Sequence, residues 1–182
     1  VNNSYHSISD PKRLKITKEF FNNKKILLLD RDGIINHKAV NTRYVEEWSQ
    51  FKFIKENILG LQALSKLGFK FIVITNQAAV SLGIISIKKL NNIHRKMIME
   101  LKKKDIEVLK VYFSPDHFED FKSDTRKPAP GLFYLASKDF KINLDRCLYV
   151  GDDVRDCLAS YNAGFNSIFI GQKNSLKSLN KN

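Results

Sequence analysis

The chain has 182 residues, 43% of them hydrophobic and 27% charged, with a formal net charge of +12. That length suits one α/β domain and is short for two, and the balance of apolar to charged residues excludes a disordered, collagen-like or mucin-like chain. No apolar run approaches the roughly 20 residues needed to cross a bilayer, no cleavable leader is legible, and two cysteines cannot make a disulfide framework, so a cytoplasmic protein is expected.

Taken in chain order, residues 1–23 form a leader in which Asp10 and Pro11 have the types of an N-cap and a first helical position. A chain that starts at Val1 rather than Met is expected to be a processed or excised piece. From residue 24 to residue 172, apolar runs of strand length alternate with amphipathic stretches, the pattern of a parallel sheet covered by helices. The pattern predicts strands at 25–29, 70–74, 108–113, 147–150 and 167–170. It predicts helices near 54–67, 86–104, 131–139 and 154–163, the last closed by Gly164. In the second helix Ile87, Leu90, Ile93, Met97, Met99 and Leu101 are expected to favour one side, with Lys88, Lys89, Arg95, Lys96 and Lys103 opposite. Residues 173–182 make a basic tail. The basic excess falls in the two tails and in residues 88–110, so it reads as solvated surface more readily than as a nucleic-acid groove, which would interleave aromatics with the cations.

Four polar clusters follow the predicted strands. Leu27-Leu28-Leu29-Asp30-Arg31-Asp32-Gly33 places two acids one residue apart at a strand end, where ligands of open parallel sheets bind. Carboxylates this close need a shared proton or a cation, and magnesium, which accepts oxygen ligands and accompanies phosphate, suits them. Ile74-Thr75-Asn76-Gln77 ends the second strand in donors suited to phosphate oxygens, and Arg126-Lys127-Pro128 offers cations that can neutralise a transferring phosphoryl group. Gly151-Asp152-Asp153 ends the fourth strand, with Asp156 one helical turn on. Each cluster alone also fits an ordinary cap, turn or surface pair; their joint order carries the weight.

The ordered set Asp30-x-Asp32-Gly33, Thr75, Lys127 and Gly151-Asp152 resembles the haloacid-dehalogenase superfamily of phosphotransferases, over residues 24–171. Within it, the strings around Asp30, Thr75 and Arg126 are similar to the branch of histidinol phosphatases and D-glycero-D-manno-heptose-1,7-bisphosphate phosphatases. The resemblance implies a Rossmann-like three-layer α/β sandwich with a mostly parallel central sheet and a minimal cap. It implies Asp30 as nucleophile, Asp32 as acid and base, Thr75 and Lys127 as holders of the phosphoryl oxygens, and Mg2+ bound by Asp30, Asp32 and Asp152. By position in the family pattern, Lys38, Asn41, Asn76, Gln77 and Arg126 contact substrate, and Asp156 orients Lys127 or a metal-bound water.

Two departures qualify that picture. Where the branch often carries a zinc loop of Cys and His, this chain has Ser114-Pro115-Asp116-His117 and Ser123-Asp124-Thr125, so no zinc is expected. Where the heptose branch places a lysine facing substrate, this chain has Asp153, an acid expected to repel a second phosphate unless Lys38 or Arg43 compensates. The stretch from Tyr5 to Phe21 resembles the tail of sugar-nucleotidyltransferase domains, which would make the leader the end of a preceding domain or a linker in a protein of lipopolysaccharide or capsule biosynthesis. The expected activity is magnesium-dependent hydrolysis of a small sugar phosphate, foremost D-glycero-D-manno-heptose 1,7-bisphosphate, through an aspartyl-phosphate. Histidinol phosphate or another small phosphomonoester, a polynucleotide 3′-phosphate, and phosphate binding without turnover are the alternatives. The partner is then a small sugar phosphate, not a membrane or a nucleic acid.

Overall fold

A computed structural model describes residues 25–39, 42–117, 119–120 and 122–171. The predicted leader helix, the loop residue Asn41 and the basic tail lie outside the described residues. Five strands, β1 (Ile26–Leu29), β2 (Lys70–Asn76), β3 (Val108–Ser114), β4 (Leu148–Gly151) and β5 (Asn166–Phe169), form one parallel sheet in the order β3-β2-β1-β4-β5. Four helices connect them: α1 (Lys55–Lys66), α2 (Ile87–Lys102), α3 (Gly131–Phe140) and α4 (Val154–Asn162). Every strand and helix predicted between residues 24 and 172 is present. β2 runs two residues beyond its prediction, through Asn76, because pairing with β3 continues to Asn76 opposite Ser114.

Strand alternation sorts the core into two layers. Leu27, Leu29, Phe71 and Val73 face Ile58 and Leu61 of α1 and Ile93, Met97 and Leu101 of α2. Ile26, Leu28, Ile72 and Ile74 face Leu132, Phe133 and Ala136 of α3 and Ala159 of α4. Strands buried on both faces read as continuous apolar runs, which is why the sequence made them so plain. The predicted apolar side of α2 narrows in the structure: Leu90, Ile93, Met97 and Leu101 are buried, whereas Ile87 and Met99 are exposed. Met99 falls two residues from Met97 and Leu101, a spacing that turns it off their stripe. Ser86 caps α2 by accepting from the Lys89 amide. Gly164 (φ +82°) closes α4, with its amide bonded to Tyr161 O and that of Phe165 to Ser160 O, the paired bonds of a Schellman ending.

Between β1 and α1 the chain makes no separate cap among the described residues. A single 3-10 turn (Trp48–Gln50) and an aromatic group of Trp48, Phe51 and Phe53 anchor this insertion, Phe51 and Val45 entering the α1–α2 core. Lys38, Arg43 and Tyr44 thereby sit over the sheet's carboxyl edge beside Asp32.

Candidate active site

The strand order reverses at β1: the chain steps outward to β2 and β3, then returns to β4 on the other side. The carboxyl ends of β1 and β4 flank the crevice that such a switch leaves open. The Asp30 amide bonds to Val150 O at 2.8 Å, which ties the two strand ends together.

Gly33 then turns the chain at φ +92°, and a Cβ there would lie 2.0 Å from Asp152 Oδ2. Only glycine both takes this conformation and admits Asp152. Gly151, in an ordinary backbone conformation, leaves room for Asp156, whose side chain would meet a Cβ there at 2.3 Å. Asp30, Asp152 and Asp156 each bring a carboxylate oxygen within 4.8 Å of the others.

Lys127 joins these acids to β2. Its ammonium, 3% exposed, donates to Asp30 Oδ1 at 2.9 Å and Asp156 Oδ1 at 2.6 Å, and lies 3.1 Å from Ile74 O and 2.6 Å from the Tyr149 hydroxyl. Burial works against its charge, but Asp30 and Asp156 keep its pKa above the ordinary lysine value. Burial pushes Asp30 up to about 7 against the pull of Lys127, with Asp156 and Asp32 adding to the rise. The other Asp156 oxygen accepts from the Asp152 and Asp153 amides, so both of its oxygens are committed, one of them to Lys127.

Asp32 has a different surrounding. It accepts from Arg31 at 2.8 and 2.9 Å, from Asn36 at 2.8 Å and from Gln77 at 2.9 Å. Burial alone would raise its carboxyl, but the Arg31 charge and these donors outweigh it and hold the group below its usual range. Arg31 is itself buried and donates to His94 Nε2 at 3.0 Å. Burial first and Arg31 second push that imidazole down to about 3, so His94 is neutral and accepts through Nε2.

The residues predicted to contact substrate divide. Lys38 and Arg126 line a cleft of about 490 Å³ together with Arg43, Tyr44, Asn76 and Arg155. Lys38 also reaches Asp152 Oδ2 at 2.7 Å. Asn76 borders the cleft but gives its amide to the Lys127 backbone, donating to the carbonyl and accepting from the N–H at 3.0 Å each. Gln77 is buried and bonds Asp32 and the Thr75 hydroxyl, so it braces the reacting groups instead of facing substrate. In both, a strand-end amide is committed to neighbouring backbone or side chains. Thr75 borders a smaller recess of about 100 Å³ with Asp30, Asp32, Lys127 and Asp152.

Sequence reasoning gave no role to Arg31, His94, Tyr149 or Arg155. Arg31 stood in plain sight between the two acids, and Tyr149 alternates with Val150 next to Gly151, but nothing local says that either reaches a distant partner. Arg155 also changes the reading of Asp153. It bonds that carboxylate at 2.7 and 2.9 Å and holds it well below the usual range, while Asp153 caps α4 through the Arg155 amide. The acid expected to repel a second phosphate is neutralised by a guanidinium that itself borders the cleft.

A family model described as polynucleotide kinase 3 phosphatase matches residues 25–168. The chain is 33% identical over 156 residues to the D-glycero-alpha-D-manno-heptose-1,7-bisphosphate 7-phosphatase of Photorhabdus laumondii, covering 82% of this chain and 83% of that protein. It is 33% identical to the D-glycero-beta-D-manno-heptose-1,7-bisphosphate 7-phosphatase of Pasteurella multocida, with 77% of each covered. Among solved structures it resembles the D,D-heptose 1,7-bisphosphate phosphatase of B. bronchiseptica complexed with magnesium and phosphate (TM-score 0.74, 24% identity, 85% of this chain and 84% of that one). A HAD-like phosphatase structure from Mesorhizobium loti is also similar (TM-score 0.71, 25% identity, 80% and 71% covered). With acid pair, hydroxyl, lysine and distal acid gathered at one sheet edge and these similarities spanning most of its length, the chain belongs to the polynucleotide kinase 3 phosphatase family of haloacid-dehalogenase-type phosphatases, hydrolases of phosphoric monoesters.

Proposed function

We propose that the chain hydrolyses D-glycero-D-manno-heptose 1,7-bisphosphate in the cytoplasm, as a step toward nucleotide-activated heptose for a surface polysaccharide. The observation that carries this reading is the pairing of two spaces: a recess holding Asp30, Thr75 and Lys127, opening beside a cleft bordered by Lys38, Arg43, Arg126 and Arg155. A substrate with two separated phosphates fits that charge distribution, one anion at the acids and one among the cations. The relatives named for both anomers of this sugar support the same reading.

In the first half-reaction an Asp30 oxygen attacks phosphorus, the bond to the sugar oxygen breaks, and Asp32 gives its proton to that oxygen. In the second, water loses a proton to Asp32 and attacks the aspartyl-phosphate, freeing Asp30 and inorganic phosphate. Arg31 favours the ionised form of Asp32, the form that takes the proton from water, whereas donation to the leaving oxygen requires Asp32 to carry a proton against that pull. Lys127 and Thr75 hold the oxygens of the transferring group, and Lys127 favours the ionised form of Asp30. Magnesium fits the oxygen donors of Asp30, Asp152 and the Asp32 backbone: the Asp152 Oδ1 is buried without a hydrogen-bond partner, as a metal-ligand oxygen would be left. When bound, the ion lowers the repulsion between anionic nucleophile and anionic phosphate. Zinc has no part in this reading, since hydroxyls and carboxylates occupy the stretch ahead of Lys127.

Magnesium-dependent phosphate release from both anomers, beside histidinol phosphate and a 3′-phosphorylated oligonucleotide, tests the proposal. The expected result is a preference in kcat/KM of about 100-fold or more for one heptose bisphosphate, lost entirely in Asp30→Asn. Equal turnover of all four, or preference for the oligonucleotide, overturns the substrate assignment; turnover retained in Asp30→Asn overturns the mechanism.

A further inference from the structure

Arg126 stands in an unfavourable place. Burial first, and Arg155 next, hold its guanidinium below the ordinary arginine pKa, with Arg43 adding to the repulsion. Arg126, Arg43 and Arg155 border one cleft, and their like charges push apart there, relieved in part by the pairing of Asp153 with Arg155. Something must hold Arg126 in the cleft, and the segment ahead of it carries a dense knot of bonds.

The Asp116 Oδ2 accepts three hydroxyls, from Ser114 at 3.0 Å, Ser123 at 2.5 Å and Thr125 at 2.9 Å. These hydroxyls also meet one another, Thr125 donating to Ser114 at 3.2 Å, and Ser123 Oγ accepts from the Arg126 amide at 3.0 Å. The Asp116 backbone carbonyl accepts from Arg126 Nη1 at 2.9 Å. The hydroxyls, Ser123 foremost, hold the Asp116 carboxyl below its usual range despite partial burial, so it stays a charged acceptor. The knot is fixed to the catalytic edge at its base: Ser114 ends β3 opposite Asn76, and its carbonyl accepts from the Gln77 amide at 2.7 Å.

We propose that Asp116 is the positioning residue for Arg126, its carboxylate gathering the Ser114, Ser123 and Thr125 hydroxyls so that its own carbonyl pins the Arg126 guanidinium in the cleft. This rests on Arg126 contacting the second phosphate, as proposed above. The residue touches no reacting atom, and its effect is confined to substrates that carry a second anion. A carboxylate is suited to the role because one oxygen can accept several hydroxyls at once and its charge shortens and strengthens each bond. The negative charge also offsets part of the repulsion from Arg43 and Arg155.

The test compares Asp116→Ala, Asp116→Asn, Arg126→Ala and the Asp116→Ala/Arg126→Ala double variant by steady-state kinetics on the heptose bisphosphate and on an aryl phosphate, with thermal melts of each. Asp116→Ala is expected to raise KM for the bisphosphate about tenfold while kcat changes less than about twofold, and to spare the aryl phosphate. Asp116→Asn, which keeps an acceptor oxygen, is expected to recover part of the loss. The double variant is expected to match Arg126→Ala alone, because the two residues act as one unit. If the melts show Asp116→Ala to be unfolded, Thr125→Val and Ser123→Ala carry the same comparison with one bond removed each. Additive effects, or equal losses on both substrates, overturn the proposal. A raised KM in Arg126→Ala with an unchanged KM in Asp116→Ala overturns it alone, whereas an unchanged KM in Arg126→Ala removes the Arg126 contact as well.

Discussion

His94 is one side chain whose contribution is defined by what it does not do, which is carry charge. It packs against the Phe113 ring, faces Arg31 and through it Asp32, and accepts an N–H from Arg31 Nη1, a nitrogen that does not bond Asp32. Its pKa is about 3 in the fold against an ordinary 6.5, so as pH falls the unfolded chain is protonated first. The stability that the neutral imidazole contributes is therefore fully present above pH 6.5 and is lost as the pH falls toward 3. The slope attributable to this one group is at most about 1.4 kcal/mol per pH unit. Denaturant melts at pH 7 and pH 4.5 are expected to show a larger drop in wild type than in His94→Gln. Equal drops would mean that other groups dominate acid unfolding. His94 falls four residues from Leu90 and three from Met97 on α2, but its partner lies 63 residues away and no local pattern announces it.

Elements matter here at their ends. Each strand of the central three stops where a polar group is needed: β1 before Asp30, β2 at Asn76 just past Thr75, β4 at Gly151 before Asp152. Glycine decides how closely those ends approach. A methyl group at Gly33 would meet Asp152 at 2.0 Å in a conformation that alanine resists, so Gly33→Ala is expected to destabilise the fold by about 1–3 kcal/mol and to displace Asp152. The distinguishing sign is a magnesium requirement raised well above that of wild type at a temperature where the variant remains folded. An unchanged requirement would separate the turn from the metal site. The strand–acid–glycine signal was visible in the sequence because turn chemistry is local. The bracing roles of Asn76 and Gln77 were not, since a strand-end amide has the same appearance whether it faces a phosphate or a neighbouring backbone.

For the whole molecule, the sheet order sets the site and the charge sets the company it keeps. The order β3-β2-β1-β4-β5 places the acids of β1 and β4 side by side at the one point where the strand order reverses. Lys88, Lys89 and Arg95 of α2 border an open surface with Ser86, Asn91 and Asn92, none of which lines the Asp30 recess. Among the described residues no helix is long and apolar enough to cross a membrane. Non-specific association with DNA is expected to weaken steeply with salt, to a dissociation constant no tighter than about 1 μM near physiological ionic strength, with no preference for a 3′-phosphate end. Titration of labelled oligonucleotides at two salt concentrations measures this. Tight, salt-resistant binding selective for the 3′-phosphate would move the substrate toward nucleic acid.

The sequence by itself determined the α/β class, the five strands and the motifs at the ends of β1, β2 and β4, because hydrophobic periodicity and turn chemistry are short-range and a doubly buried strand leaves an unmistakable apolar run; the Lys127 motif, expected at a strand end, lies in the loop ahead of α3. It also determined the family, through the order of Asp30, Asp32, Thr75, Lys127 and Asp152. Only the tertiary structure decided how the charges are shared. Lys127 bridges Asp30 and Asp156 across three strands, Arg31 locks Asp32 with help from α2, Arg155 cancels Asp153, and a loop of hydroxyls gathers on Asp116. Those pairings depend on distances between residues far apart in the chain, and Coulomb interactions fall with distance in space, not along the sequence.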